Sequence, residues 1–275
     1  MVPAKRTKHP MTRRSPLTAL AALFVFVFLY APLAVIIVYS FNAARYGTEW
    51  QGFTVDWYLK LIDNDPAISA AINTIELACT STFFSVLLGS VLAYGMSRYE
   101  FPFKRLFHHV LHIPVFIPDI VMAVALLLFF AVLRRWLAGF ELGMTTMTLA
   151  HITFQIPFVA IVVRARMADC DPQLEEAAAD LGAGPWLTFR HVTFPLMVPG
   201  IVAGGLLAFT LSLDDFVVSF FTSGPGSTTL PILIYSSVKR GLTPDINALA
   251  SLIVLVSALT VVTVSWLRGR TEVKS

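Results

Sequence analysis

The chain has 275 residues, of which 56% are hydrophobic and only 13% charged, with a mean hydropathy of +0.74. Soluble domains average about 45–50% apolar and about 25% charged, and a water-soluble fold of this size cannot hide so much apolar surface. That excludes a soluble protein and points to an all-α integral membrane protein. The net charge of +3 gives no argument for nucleic acid as a partner, and two cysteines, Cys79 and Cys170, build no disulfide framework.

A bilayer core of about 30 Å takes roughly 20 apolar residues as a helix. Six stretches qualify. The first, Leu17–Ser40, follows a basic N-terminus. Its apolar run exceeds the usual 7–15-residue core of a signal peptide and no A-x-A-like site follows, so it is expected to stay as a span. Segment 41–67 then carries Trp50, Trp57 and Tyr58 beside Asp56, Asp63 and Asp65, a composition suited to a membrane interface. The second span, Ile68–Ser97, includes Glu76, and the third is expected over Leu106–Leu133. The third enters through His108, His109 and His112 and contains Pro114, Pro118 and Asp119. Three histidines at a basic entry, with no carboxylate or thiol among them, suit lipid headgroups better than a metal. Thr145–Val163 forms the fourth span, and Leu196–Thr222, with Gly200, Gly204, Gly205, Asp214 and Asp215, the fifth. An outward re-entrant or hairpin loop with S-G-P-G-S at 223–227 precedes the sixth span, Ile246–Leu267. Residues 1–67 are an addition to a five-helix core over 68–265, and 266–275 form a tail.

Lys and Arg set the orientation. One set of loops holds Lys5, Arg6, Lys8, Arg13, Arg14, Arg98, Lys104, Arg105, Arg164, Arg166, Arg190, Arg268, Arg270 and Lys274, which makes 14 of the 20. The other holds Arg45, Lys60, Arg134, Arg135, Lys239 and Arg240, the remaining 6. Basic loops stay in the cytoplasm, so both termini and the long loop 164–195 are expected inside.

That loop is the most informative part of the chain. Asp171 can cap a short helix with Pro172 at its first position. Leu174, Ala177, Ala178 and Leu181 fall at i, i+3, i+4 and i+7, giving one apolar stripe. Gly182 is placed to end the helix in a left-handed cap. A helix of alanines can enter a narrow groove closely, and Glu175, Glu176 and Asp180 offer carboxylates to a partner. Helices that lie on lipid usually carry Lys and Arg instead.

Glu176-Ala177-Ala178, three residues, Gly182, nine residues, then Val192-x-Phe194-Pro195 resembles the cytoplasmic signature of ABC importer permeases. That signature is E-A-A, three residues, G, nine residues, I-x-L-P. The resemblance implies a type I importer fold. It also implies that Glu176, Ala177, Ala178, Gly182 and Pro195 form a coupling helix and its return, docked in a cleft of a separate ATPase. F-N-A-A-R-Y-G from Phe41, P-D-I-V-M-A from Pro118 and F-T-L-S-L-D-D-F-V-V-S from Phe209 are similar to the spermidine/putrescine branch. The resemblance further implies a second, similar permease chain, a substrate-binding protein outside, and location in a bacterial inner membrane, with lipid around the spans.

The chain has no Gly-Lys dipeptide, hence no phosphate-cradling P-loop. Any ATP is expected to be used by a partner, and this chain is expected to hold no cofactor and no catalytic residue. Glu76, Asp119, Asp214 and Asp215 place carboxylates within spans, where each costs about 2.5–3.5 kcal/mol at the bilayer centre and normally marks a path. Excess negative charge suits a cation. A polyamine needs carboxylates at intervals and aromatic faces for its ammonium groups and methylenes, so the substrate path is assigned to Asp119, Asp214, Asp215 and Trp57. On one helix, Asp214 and Asp215 point about 100° apart, one to the path and the other to a neighbour. Two alternatives remain at this stage: an ion-coupled secondary transporter of a small cation, and an intramembrane aspartyl hydrolase.

Overall fold

A computed structural model describes residues 16–44, 49–137, 139–240 and 246–255. The basic N-terminus, the C-terminal tail and the end of the expected sixth span lie outside the described residues. The helices, in chain order, are α1 (Pro16–Tyr39), α2 (Asp56–Ile62), α3 (Asp65–Arg98), α4 (Lys104–Phe116), α5 (Asp119–Trp136), α6 (Met144–Ala168), α7 (Gln173–Asp180), α8 (Pro185–Thr188), α9 (Phe194–Leu213), α10 (Val217–Thr222), α11 (Leu230–Arg240) and α12 (Ile246–Leu255). A π-helical turn over Phe189–Thr193 joins α8 to α9. Among the described residues, four helical stretches are long and apolar enough to cross a membrane, or five if α4 and α5 count as one bent span. Asn64–Ser236 form one compact unit; the described residues up to Asp63 and from Ser237 onward form another.

In the Asn64–Ser236 unit, α3 starts where the Asn64 side chain accepts the Ala67 N–H at 3.1 Å, with Pro66 in the first turn. One stripe of small residues along α3, including Ala70, Ser81, Gly89 and Ala93, is buried against α6 and α9. Small residues let helices in lipid approach until their backbones touch. A Cβ on Gly89 would come within 2.8 Å of Val159 Cβ, and one on Gly200 within 2.7 Å of Arg166 Cβ. Gly200 and Gly204 therefore let α9 pack closely against α6. A second apolar cluster, Ala123, Leu126, Phe130, Ala150 and Val218, joins α5, α6 and α10.

Two expected spans are broken. The third bends by 109° between α4 and α5. Pro114 lacks the N–H its turn needs, and Pro118 holds Ile117 in an extended conformation (φ −73°, ψ 132°), so the helix cannot run through. The fifth stops at Leu213 and resumes at Val217, so Asp214 and Asp215 are not one helical step apart as expected. The loop expected after Thr222 contains a helix of its own, α11.

In the other unit, Asn42 is buried and organises the strand-like return between α1 and α2. Its Nδ2 donates to the Glu49 carbonyl at 2.8 Å, and its Oδ1 accepts the N–H groups of Gln51 at 2.9 Å and Ala44 at 3.2 Å. The backbone pairs Asn42 with Phe53 in an isolated antiparallel bridge.

Candidate substrate path and coupling surface

The segment expected to couple to an ATPase can be built residue by residue. Asp171 Oδ1 accepts the Gln173 N–H at 2.9 Å and starts α7. At the other end Gly182 has φ +85°, its N–H bonds Ala179 O at 2.9 Å, and the Ala183 N–H bonds Ala178 O at 3.0 Å. This pair of bonds is the Schellman stop that only a left-handed residue can complete at low cost. None of the residues of α7 is buried. Leu181 is 90% exposed and Trp186 69% exposed, so the apolar stripe of this segment is left open by the chain itself. Glu176 and Ala177 are exposed and Ala178 half-buried beside them, and Pro195 stands exposed in the first turn of α9.

Glu175 behaves differently from the expectation. It faces the body of its own chain rather than a partner: Oε1 accepts from Arg98 Nε at 3.0 Å and from Thr193 Oγ1 at 2.8 Å. One carboxylate thus ties α7 to the end of α3 and to the π-helical turn beneath α9. Phe189 stacks on Trp186, at 5.8 Å, and meets Tyr94 of α3 edge-on, at 5.1 Å, adding an aromatic joint. Only the spacing of Glu175, Arg98 and Thr193 in three dimensions reveals this, since 77 residues separate the ion pair.

The acidic residues divide into two kinds. Asp215 is inward: its carboxylate accepts the N–H of Val218 at 3.2 Å and of Ser219 at 2.7 Å, capping α10. Its Oδ2 also lies 3.3 Å from Nε2 of the fully buried His151. Asp214 is exposed, at the C-terminal end of α9. Asp119 is exposed at the first position of α5, where the free N–H groups of the helix favour a carboxylate. Neither pairs with Lys, Arg or His among the described residues. Trp57 lies in the other unit, half-buried; its Nε1 donates to the Asn42 carbonyl at 2.8 Å and Lys60 Nζ sits 4.4 Å above the ring. Glu76 is exposed on α3.

His151 opens a polar chain that sequence reasoning missed. Its Nδ1 is 2.8 Å from Ser212 Oγ and its Nε2 3.0 Å from Ser219 Oγ. Ser212 Oγ is 3.3 Å from Ser81 Oγ, which accepts from Gln155 Nε2 at 3.2 Å. Ser85 Oγ donates to Gln155 Oε1 at 2.8 Å. Buried polar groups keep their cost low only when bonded, and here they bond across α3, α6, α9 and α10. A signal existed: His151 and Gln155 lie one turn apart in an apolar helix, where ionisable residues are rarely idle. The expected histidine cluster shows no metal geometry; His108 and His112 stack at 4.6 Å, and His112 Nδ1 bonds the His108 carbonyl at 2.7 Å. Among the described residues no group of three or more His, Cys, Asp or Glu could hold a metal.

Residues 85–272 match the family described as the inner membrane component of binding-protein-dependent transport systems. The chain belongs to this family. The permease is 42% identical over 250 residues to the spermidine/putrescine transport system permease protein PotC of Escherichia coli (strain K12), covering 91% of the permease and 92% of PotC. It is 41% identical over 244 residues to the putrescine transport system permease protein PotI of the same strain, covering 87% and 86%. In three dimensions the permease is similar to a chain of a bacterial ABC transporter involved in the import of the acidic polysaccharide alginate. The TM-score there is 0.73 at 21% identity, over 92% of the permease and 94% of that chain. The permease thus has the type I ABC importer permease fold and is a multi-pass inner-membrane protein.

Proposed function

We propose that this permease is one half of the translocation path of an ATP-driven polyamine importer. The names of its relatives support the substrate class. The exposed carboxylates Asp214 and Asp119, unpaired among the described residues, support a cationic cargo, with Asp215 holding the break that presents Asp214. Trp57 contributes an aromatic face that already tolerates an ammonium group, that of Lys60. In this reading six spans cross the membrane, with both termini in the cytoplasm. The sixth span begins with α12.

The observation that carries the reading is the open surface of α7, tied by Glu175 to the spans behind it. An ATPase subunit grips Glu176, Ala177, Ala178 and Leu181 from the cytoplasm. A second, similar permease supplies the other wall of the path, and a periplasmic binding protein delivers the polyamine to the outward segments. ATP binds and is hydrolysed in the partner chain alone. Closure of the ATPase pair pulls α7; Arg98 and Thr193 pass the pull to α3 and α9, and the breaks at Pro118 and Asp214 give way. ATP drives this only because the motor grips one conformation more tightly than the other.

The test is uptake of labelled spermidine or putrescine by the complete transporter in proteoliposomes. Uptake that needs ATP and persists after ionophores collapse ion gradients supports the proposal. Uptake that survives without ATP and follows an ion gradient overturns it.

A further inference from the structure

Three basic side chains at the cytoplasmic ends of the core helices already have partners. Arg98 is held by Glu175, Lys104 by Glu100 at 2.8 Å, and Arg166 Nε donates to the Leu196 carbonyl at 3.3 Å. Arg105 and Arg164 are different. Neither has a carboxylate within 4.0 Å among the described residues. Both line one cleft of about 340 Å³, together with Lys104, His108, His109 and the already paired Glu100.

Three features identify what the cleft suits. First, three permanent cations face one carboxylate, so the cleft repels a polycation and is no part of a polyamine path. Second, Arg164 is half-buried and stands four residues before the end of α6 at Ala168, about 6 Å along the axis. A guanidinium one turn inside the end of a span needs an anion at that depth, and lipid phosphates lie there. Third, Leu106, Phe107 and Val110, on α4 beside the basic residues, are half-exposed. A phosphate that arrives attached to acyl chains uses this apolar flank, whereas a free phosphate does not.

We propose that the cleft between the end of α3, the first turns of α4 and the end of α6 binds the phosphate of an anionic phospholipid. Arg105 and Arg164 are its main ligands. Basic pockets between helices on the cytoplasmic side are suited to such headgroups. The lipid holds α4 against α3 and α6, on the cytoplasmic side of the bend at Pro118, and so sets the resting angle of that bend. This inference goes beyond polyamine transport, and its test does not depend on which solute is carried.

The experiment is native mass spectrometry of the complete transporter after exchange into equal amounts of phosphatidylglycerol and phosphatidylcholine. The wild type retains phosphatidylglycerol preferentially. Each basic residue contributes about fivefold to binding an anionic lipid, so R105Q/R164Q loses the preference by roughly 30-fold. R105K/R164K, which keeps the charges, retains most of it. R105Q and R164Q singly each lower it about fivefold, so the test stands even where the double variant assembles poorly. R190Q, in the coupling loop, serves as a control and changes nothing. Equal retention by wild type and R105Q/R164Q overturns the proposal. Displacement of phosphatidylglycerol by millimolar inorganic phosphate also overturns it, by assigning the cleft to a soluble anion.

Discussion

Arg98, the last residue of α3, places both Nε and Nη2 3.0 Å from Glu175 Oε1 in α7. Their side chains are 18% and 22% exposed, which shields the pair from the screening that weakens surface ion pairs. Thr193 fills the same carboxylate oxygen at 2.8 Å. A segment with no buried residue of its own is therefore not loose, because it is hinged on one acidic side chain.

Breaking that hinge should separate ATP hydrolysis from transport. Arg98→Ala leaves Glu175 without its cation, a loss of about 1–3 kcal/mol for a partly buried charge-assisted contact. Uptake is expected to fall about tenfold or more while basal ATPase activity continues. The charge-swapped pair Arg98→Glu/Glu175→Arg should recover part of it, because paired residues in contact are not additive. Uptake and phosphate release measured on the same proteoliposomes check this.

Gly182 tests the end of the same helix. At φ +85°, an alanine costs about 1–2 kcal/mol, and Gly182→Pro also removes the 2.9 Å bond to Ala179 O. Gly182→Ala should weaken coupling mildly and Gly182→Pro severely, with membrane insertion intact in both. Glu176→Lys, which changes only an exposed side chain, should weaken binding of the ATPase without altering permease stability. Co-purification of the ATPase with each variant reads the difference.

The two adjacent aspartates should fail in different ways. Asp214→Asn removes an exposed charge and is expected to raise KM for spermidine with assembly unchanged. Asp215→Asn weakens the cap of α10 and the contact with His151, and is expected to lower thermal stability of the permease by about 1–3 kcal/mol. His151→Ala should resemble Asp215→Asn, and His151→Gln should do less harm because its amide can still reach Asp215 and Ser219. Thermal melts beside uptake kinetics separate the two classes.

The close helix contacts give a packing test. Gly89→Leu and Gly200→Leu each force a side chain into a backbone approach where even a Cβ would come within 2.8 Å and 2.7 Å of its neighbour. Overpacking of this kind costs about 1–3 kcal/mol or more. Both variants should insert but fail to yield a stable transporter in size-exclusion chromatography. Gly95→Leu, with nothing within 4 Å of its Cβ position, should be tolerated by this unit.

Chain chemistry alone determined the membrane class, the approximate ends of α1, α3 and α6, and the short helix α7 with its glycine stop. Each of these depends on residues within a few turns of one another: apolar length, Pro and Asn caps, and the one residue type that accepts a positive φ. Pro114 and Pro118 carry the local reason that the third span is interrupted. Tertiary structure alone decided the 109° size of that bend, the break at Asp214, and which aspartate turns inward. It also assigned Glu175 to Arg98 rather than to a partner, and gathered Ser81, Ser85, His151, Gln155, Ser212 and Ser219 into one polar chain. Those outcomes follow from contacts between residues tens of positions apart. The direction a carboxylate takes is set by whichever donor the packed helices bring within 3 Å, and no local pattern encodes that.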